Sequence, residues 1–270
     1  MRRKKTNTRK KNFAKKELGQ NFLNNPIIRE NILTEAGNIK NKNILEIGPG
    51  LGFLTTKLLQ ESSHLTAIEF DERAVQILNK DFGNHEHFHL IHGDILIYDL
   101  DILFEQKKYS IIANIPYNIT APIFKKVLSK TKNKPEFAVF MVQKEVGKKV
   151  CNPIKRSILS ISVEIFAETK YCFTVTRENF TPIPKVDSAI IRLDIRKKPL
   201  VPKDLQQDFF TVVNAGFSQK RKKLGNFIGK FFGLSPKDLL GTVNPDRRAE
   251  TLNIKDWIQI TKNFKKLMFP

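Results

Sequence analysis

The chain has 270 residues, 40% of them hydrophobic, and a formal net charge of +20 at pH 7. This length allows one large core and a small second domain, and the positive excess favours a polyanionic partner, with nucleic acid ahead of an anionic membrane surface. Apolar runs far shorter than the roughly 20 residues of a spanning helix exclude a membrane span. Two cysteines are too few for a disulfide framework or a thiolate metal site, so we expect a cytoplasmic protein that binds no metal. We also expect a monomer.

A basic segment opens the chain. Nine Lys or Arg residues and no acidic residue lie between Met1 and Lys16. Neither the apolar stretch of a secretory signal nor the amphipathic helix of a mitochondrial presequence accompanies them. We interpret residues 1–17 as a disordered basic arm that either contacts nucleic acid or only keeps the chain soluble, because charge alone does not separate the two.

A doubly wound α/β sheet is predicted for the central part of the chain, where short apolar runs alternate with helical stretches. Strands are predicted at Asn43–Ile47, Leu65–Phe70, Phe88–His92, Tyr109–Ile115, Phe137–Val142, Tyr171–Thr176 and Ser188–Ile195. Helices are predicted at Leu51–Gln60, after caps at Asp71 and Thr120, at Lys144–Val150 and at Ser157–Glu168. The last two strands lie close together in the chain and predict an antiparallel pair, so the sheet should be mostly parallel with one reversed strand.

The composition changes after Arg196. Pro199 and Pro202 mark a linker, and the remainder shows helical patterns without strand-like alternation. We therefore predict an α/β domain over residues 18–199 and a small helical domain over residues 200–270.

Three histidines, His85, His87 and His89, alternate along the chain. Alternate residues of a strand share one face, which would suit a metal ion. No Cys or Glu/His pair stands at ligand spacing nearby, so a solvent-facing strand edge is the preferred interpretation.

A glycine-rich turn, Glu46-Ile47-Gly48-Pro49-Gly50-Leu51-Gly52, follows the first predicted strand and opens a helix. Glycines there let the backbone turn tightly and approach a ligand closely. The Gly-x-Gly-x-Gly spacing differs from the pyrophosphate-binding pattern, but by itself it fits nicotinamide, flavin or S-adenosylmethionine.

Acidic residues end the next two strands. A carboxylate at Glu69 can accept hydrogen bonds from ribose hydroxyls, and Asp94 can bond an adenine amine. Acidic residues at strand ends are also common helix caps. However, the glycine turn, Glu69 and Asp94 lie on successive strand ends at one edge of the sheet, where sheets of this class bind ligands. Together these three features indicate a cofactor site.

The tetrapeptide Asn114-Ile115-Pro116-Tyr117 follows the fourth predicted strand. An exocyclic adenine amine is a weak nucleophile because its lone pair is delocalised into the ring. Two acceptors aimed at its N–H bonds, the Asn114 side-chain oxygen and an Ile115 carbonyl held rigid by Pro116, would favour the reactive tetrahedral nitrogen. Tyr117 offers a face on which a splayed base can stack. The alternative is a plain turn with a buried Tyr, which the preceding cofactor motifs disfavour.

Together these segments resemble the ribosomal RNA adenine dimethyltransferase family (the KsgA and RsmA type), which also includes the Erm macrolide-resistance methyltransferases. The resemblance covers roughly residues 17 to 260. It rests on Leu18–Leu23, Glu46–Gly52, Glu69, Gly93-Asp94, Asn114–Ile119, Val142–Glu145 and Phe180–Ser188. It implies a Rossmann-like methyltransferase sheet with a C-terminal helical RNA-binding domain, and S-adenosylmethionine as the methyl donor. The implied product is N6,N6-dimethyladenosine at two adjacent adenines in a hairpin near the 3′ end of small-subunit (16S) rRNA, with the immature 30S particle as partner.

The resemblance also implies roles for individual residues. Contacts with S-adenosylmethionine fall on Asn21, Leu23, Gly48, Glu69, Asp94 and Asn114. Phe180 matches an aromatic residue that helps to wall in the target adenine across from Tyr117, and a core position is the alternative for one of 21 phenylalanines.

A basic run at Ser218–Lys223 resembles an element that the family carries at this place. Such a cluster can neutralise several phosphates, and a generic basic helix face is the alternative. The predicted RNA contacts are Lys220, Arg221, Lys222 and Lys223, and the residues that would extend this track are Lys148, Lys149, Lys155 and Arg156.

One segment departs from the family pattern, and three other functions compete. Cys151–Ile158 stands where housekeeping members have a loop containing Gly and Tyr, which puts contacts of this loop in question.

Among the competing functions, an Erm-type large-subunit enzyme is the nearest rival, but Asn244–Glu250 resembles the housekeeping C-terminal domain. A non-catalytic RNA-binding assembly factor is disfavoured by the intact Asn114–Tyr117 motif, and a nicotinamide oxidoreductase by the glycine spacing.

Overall fold

The computed structural model describes residues 13–15, 19–105 and 107–269. Most of the predicted basic arm at 1–17 lies outside the described residues. None of the helices within these ranges is long and apolar enough to cross a membrane.

A seven-stranded sheet forms the centre of the fold, in the order β4-β3-β2-β5-β6-β9-β7, and β1 and β8 form a separate pair. The strands are β1 (Phe22–Leu23), β2 (Asn43–Ile47), β3 (His64–Glu69), β4 (Phe88–His92), β5 (Tyr109–Asn114), β6 (Phe137–Gln143), β7 (Ala167–Val175), β8 (Phe180–Thr181) and β9 (Ser188–Ile195). Strands β2 to β6 pair in parallel, whereas β9 runs antiparallel to β6. The prediction of a mostly parallel sheet with one reversed strand is confirmed.

The position of each strand in the sheet explains its sequence. Residues Phe137–Val142 of β6 are all buried, as expected for a strand covered on both faces. In contrast, β4 lies at the edge of the sheet, and His85, His87 and His89 are exposed. The predicted solvent-facing strand edge is confirmed. Among the described residues, no group of three His, Cys, Asp or Glu side chains could hold a metal ion.

Eleven α-helices lie within the described residues, and their bounds are Pro26–Ala36, Thr55–Glu61, Glu72–Phe82, Leu100–Phe104, Thr120–Lys125, Lys144–Val150, Ile158–Glu164, Lys203–Phe217, Ile228–Phe232, Pro236–Leu240 and Ile254–Met268. Side-chain caps fix several of their starts. Asp71 accepts a hydrogen bond from the Arg73 N–H at the start of Glu72–Phe82, as predicted. Asn253 forms a capping box with Asp256 at the start of the last helix.

Three predictions about helix ends are wrong. The helix predicted at Leu51–Gln60 begins only at Thr55, because residues 51–54 form a turn. Thr120 is the first residue of its helix and not its cap, because its hydroxyl donates to the Tyr117 carbonyl oxygen in the preceding turn. The helix predicted to run to Glu168 ends at Glu164, since β7 begins at Ala167. Its predicted start is correct, with Ser157 as the N-cap in a capping box with Ser160.

The chain divides into two compact units. The first extends to Gly147 and also contains Thr169–Ile195, and the second contains Lys148–Glu168 with the residues from Arg196 onward. The segment Lys148–Glu168, assigned from the sequence to the α/β domain, thus groups with the helical unit. Backbone hydrogen bonds inside that unit show why: the Arg156 N–H donates to the Glu250 carbonyl oxygen and the Leu200 N–H to the Ile165 carbonyl oxygen.

Candidate active site

A cavity of about 450 Å³ lies at the carboxyl ends of the parallel strands. This is the edge at which open α/β sheets bind ligands, and the volume falls in the range of small-molecule sites. Its lining comes from five parts of the first unit: residues 19–23, 46–54 with Thr56, 68–70, 93–96 and 114–119. The structure therefore brings together the predicted residues Asn21, Leu23, Gly48, Glu69, Asp94, Asn114, Ile115, Pro116 and Tyr117.

The glycine turn after β2 needs its glycines for two different reasons. Gly48, Gly50 and Gly52 all have positive φ angles, +65°, +58° and +78°, which disfavour any side chain. At Gly52 a Cβ atom would also lie 2.5 Å from the Phe82 ring, whereas at Gly48 the nearest atom would be 3.9 Å away. Gly52 is thus required because a side chain would collide with Phe82 of the helix Glu72–Phe82. Gly48, which lines the cavity, is required because of its positive φ angle alone.

Glu69 braces this turn from the end of β3. One carboxylate oxygen accepts a hydrogen bond from the Gly50 N–H at 2.9 Å, and the other accepts one from the Asp71 N–H at 2.8 Å. Burial raises the pKa of Glu69, although these backbone donors act in the opposite direction. Each carboxylate oxygen can accept a second hydrogen bond, so the same side chain can hold the turn and receive ribose hydroxyls. The bracing role was missed in the sequence because its donors are backbone groups.

The segment before β1 is tied to the same region. The Gln20 side-chain amide donates to Asp71 at 2.8 Å, and Asp71 also forms a bidentate pair with Arg73. The neighbouring Asn21 side chain donates to the Gly19 carbonyl oxygen. Gln20 lines the cavity and was missed in the sequence, where nothing linked it to a residue 51 positions later.

Asn114 occupies the end of β5 beside this segment. Its amide nitrogen faces the Asn21 carbonyl oxygen at 3.4 Å, which leaves the side-chain oxygen as the group that can accept hydrogen bonds. Pro116 has φ −57° and ψ 135°, and Tyr117 then begins a short 3₁₀ turn. Asp94, in the loop that follows β4, accepts a hydrogen bond from the Leu96 N–H at 2.8 Å and so faces the cavity in a fixed turn.

Tyr117 is held by its phenol. The hydroxyl lies 2.7 Å from the Ser188 hydroxyl, and burial raises the pKa of Tyr117. A neutral phenol with a hydrogen-bond partner inside the protein is not a proton acceptor. The ring is therefore the part of Tyr117 that the cavity can use.

Phe180 does not line the cavity. Its side chain is 1% exposed and belongs to the hydrophobic core cluster, and its strand β8 pairs Phe180 with Leu23 of β1. The structure therefore places Phe180 in the hydrophobic core, which was the alternative interpretation of this residue. Contact between Phe180 and the target adenine stays a prediction.

Comparisons with known proteins identify the family of the chain. The family model described as ribosomal RNA adenine dimethylase matches residues 11–266. The chain belongs to this family.

Individual members agree with this assignment. The ribosomal RNA small subunit methyltransferase A of Fusobacterium nucleatum is 39% identical over 260 residues, which cover 93% of this chain and 97% of that protein. The protein of the same name from Clostridium acetobutylicum is 36% identical over 251 residues, covering 90% of each. A dimethyladenosine transferase from Plasmodium falciparum superposes with a TM-score of 0.77 at 25% identity, over 91% of this chain and 98% of that structure. The 23S rRNA methyltransferase ErmE, with a TM-score of 0.73 and 23% identity over 90% of this chain and 99% of that structure, shares the fold.

The predictions of an enzyme, of a methyltransferase fold and of this family are therefore confirmed. The cavity of this rRNA adenine dimethylase also fits S-adenosylmethionine, the donor that methyltransferases of this fold use. The carboxylates of Glu69 and Asp94 suit ribose hydroxyls and an adenine amine. The glycine turn lets a ligand approach the backbone closely, and Phe70 and Ile95 add apolar surface.

A third carboxyl group, Glu46, lines the cavity of this dimethylase beside Glu69 and Asp94. It is 1% exposed and accepts a hydrogen bond from the Thr55 hydroxyl at 2.7 Å. Burial raises the pKa of Glu46 to about 8, and the nearby Glu69 adds to the rise. Glu46 is therefore largely protonated at neutral pH.

We expect Glu46 to make the folded state lose stability as pH rises. The folded pKa of about 8 exceeds the ordinary value of 4.5, so between these values the folded state binds more protons than the unfolded chain and the free energy of unfolding falls with pH. In Glu46→Gln, which keeps an acceptor for Thr55, this part of the pH dependence should vanish. From urea unfolding at pH 5 and pH 8, we expect wild type to lose on the order of 3–4 kcal/mol more than the variant.

The exposed Glu86→Gln provides the matched control and should unfold like wild type at both pH values. Equal pH dependence in wild type and Glu46→Gln would show that Glu46 is charged in the folded protein.

The predicted RNA-binding cluster lies in the second unit of the dimethylase. Lys220, Arg221, Lys222 and Lys223 are all exposed and follow the helix Lys203–Phe217 in an irregular turn. The residues form a turn rather than the helix face named as the alternative. Lys223 forms an ion pair with Asp246 at 3.0 Å, with both side chains more than half exposed.

The proposed extension of this cluster is less uniform. Arg156 is 12% exposed and forms a bidentate pair with Glu164, so it holds the segment 151–158 in place. Lys155 is largely exposed and lies 3.8 Å from Glu250, and Lys148 and Lys149 are exposed. In the same segment the Asn152 side chain accepts hydrogen bonds from two following N–H groups, which makes it an ordered turn.

Proposed function

We propose that this enzyme uses S-adenosylmethionine to form N6,N6-dimethyladenosine at two adjacent adenines in a hairpin near the 3′ end of 16S rRNA. The substrate would be the immature 30S particle, in the cytoplasm, and the enzyme would act as a monomer. The observation that carries the proposal is the Asn114–Tyr117 turn on the wall of the cavity. Relatives at 33–39% identity, named ribosomal RNA small subunit methyltransferase A, support the small subunit as the target.

The protein's own part in this reaction is positioning. The Asn114 side-chain oxygen and the Ile115 carbonyl accept hydrogen bonds from the two N–H bonds of the adenine amine, which localises its lone pair for attack. The Tyr117 ring stacks on the splayed base and favours the positive charge that develops on the nitrogen. S-adenosylmethionine, when bound, supplies the methyl group as an electrophile. The methylated nitrogen then loses its proton to water, so the neutral Tyr117 phenol is not needed as a base.

The cofactor contacts we propose are those gathered in the cavity. Glu69 receives the ribose hydroxyls, Asp94 bonds the adenine amine of the cofactor, and Gly48 leaves room for the ligand beside the backbone. Asn21 and Leu23 close the cavity from the segment before and within β1. Their support is the shared cavity lining and the family resemblance.

Methyl transfer from labelled S-adenosylmethionine tests the function. We expect the purified enzyme to label immature small-subunit particles and mass spectrometry to locate dimethyladenosine at two adjacent positions. Large-subunit RNA assayed in parallel is the control. Label confined to large-subunit RNA would instead support an Erm-type activity, and binding without labelling would support a non-catalytic assembly factor.

A further inference from the structure

The hydrogen bond between Tyr117 and Ser188 crosses from one part of the sheet to another. Tyr117 follows β5, whereas Ser188 is the first residue of β9, and β6 lies between these two strands. Neighbouring strands are about 4.8 Å apart, so strands β5 and β9 are separated by on the order of 10 Å. The Tyr117 side chain, the 2.7 Å hydrogen bond and the Ser188 side chain together cover this distance, and a phenylalanine in place of Tyr117 would lack the hydroxyl that makes the bond.

Ser188 is placed for this contact by its surroundings. It is 0% exposed and sits opposite Gln143 at the end of β6. The preceding Asp187 pairs with the Lys144 ammonium at 2.9 Å, and its carbonyl oxygen accepts the Lys144 N–H at 3.0 Å. The start of β9 is thus tied to the end of β6 by both main-chain and side-chain bonds, which fixes the Ser188 hydroxyl.

We propose that Ser188 is a positioning residue that acts through Tyr117. Its hydroxyl holds the far end of the phenol and so fixes the direction in which the Tyr117 ring extends along the cavity wall. Rotation of the ring about its own axis leaves this bond intact, so the contact restricts the first side-chain torsion without locking the plane of the ring. The ring then meets a stacked adenine at one position, which lowers the entropic cost of base binding. This inference rests on the proposed function, because the adenine is its substrate.

A double-mutant cycle tests the proposal. Ser188→Ala and Tyr117→Phe each remove the hydroxyl bond and keep the strand or the ring. We expect each single variant to lower kcat/KM for rRNA about fivefold to tenfold, the worth of one buried hydrogen bond, with the affinity for S-adenosylmethionine unchanged. The double variant should be no worse than either single variant, because both remove the same contact.

Two matched controls accompany the cycle. Ser110→Ala removes a serine hydroxyl that is also 0% exposed, in β5 of the same sheet, but that has no hydrogen-bond partner within the described residues. Tyr171→Phe breaks a comparable bond of 2.7 Å between Tyr171 and Thr174. Both should keep wild-type kcat/KM. Thermal unfolding of every variant separates loss of activity from loss of fold.

Single effects that multiply in the double variant would show that Ser188 does not act through Tyr117. A Ser188→Ala enzyme as active as Ser110→Ala would also overturn the proposal. These results differ from a failure of the proposed function, in which the wild-type enzyme itself transfers no methyl group to small-subunit RNA.

Discussion

Replacement of Asn114 by alanine is expected to reduce methyl transfer by at least about a thousandfold while rRNA binding changes less than about threefold. The side-chain oxygen is one of the two acceptors that make the adenine nitrogen reactive, and removal of one such preorganised group typically costs about 10²–10³ in kcat. The same substitution also removes the hydrogen bond to the Asn21 carbonyl oxygen. Because Asn21 lines the cofactor cavity, we expect weaker binding of S-adenosylmethionine to reduce methyl transfer further. Single-turnover transfer of labelled methyl and filter binding of rRNA measure the two effects.

Asn43→Ala is the matched control for this experiment. Asn43 is the first residue of β2, at the amino end of the strand and away from the cavity, and its side chain donates to the Lys108 carbonyl oxygen at 2.8 Å. The control loses an amide of the same size and a hydrogen bond to a backbone carbonyl, yet it should keep wild-type turnover. An Asn114→Ala enzyme with normal turnover would show that the tetrapeptide is only a turn.

The basic turn after Phe217 should carry a large share of RNA affinity. In the triple variant Lys220→Ala, Arg221→Ala and Lys222→Ala, we expect rRNA affinity at about 0.1 M salt to fall roughly 10- to 100-fold. The slope of log affinity against log salt should become shallower by about 2–3, because each phosphate contact contributes about 0.7–0.9. Binding isotherms over a range of KCl concentrations measure both quantities.

A second triple variant tests whether rRNA affinity depends on the position of these charges or only on the net charge of the protein. Lys197→Ala, Lys198→Ala and Lys203→Ala remove the same charge from exposed sites elsewhere in the helical unit. Equal losses in the two triple variants would mean that general attraction by the +20 chain, and not this turn, binds the RNA. The single variant Lys223→Ala should reduce rRNA affinity less than a single substitution of Lys220, Arg221 or Lys222, since the Lys223 side chain is already paired with Asp246.

The parts of the fold that could be predicted are those with a clear local pattern. The bounds of β2, β4 and β9 agree with the prediction because each is an apolar or alternating run between breakers. The pair β1 and β8 has two residues in each strand, too few to show any periodicity. It forms only because the folded chain brings Phe22 beside Thr181, which local sequence cannot indicate.

The site follows the same division. Gly48, Glu69 and Asp94 could be placed together because parallel strands end at one edge. The side-chain contacts around them could not, since Ser188 contacts Tyr117, 71 positions earlier, and Gln20 contacts Asp71, 51 positions later. The grouping of Lys148–Glu168 with the helical unit likewise depends on contacts far apart in the chain.

The β1–β8 pair sets an order for the formation of the enzyme during synthesis. Residues 19–23 are made first, but their strand partner at Phe180–Thr181 emerges only after about two thirds of the chain. Closing so long a loop has an entropic cost that native pairing must offset. Gln20 and Asn21 can meet Asp71 and Asn114 earlier, so we expect the β1–β8 pairing to be the last contact that this wall of the cavity gains, after the parallel strands have been synthesised.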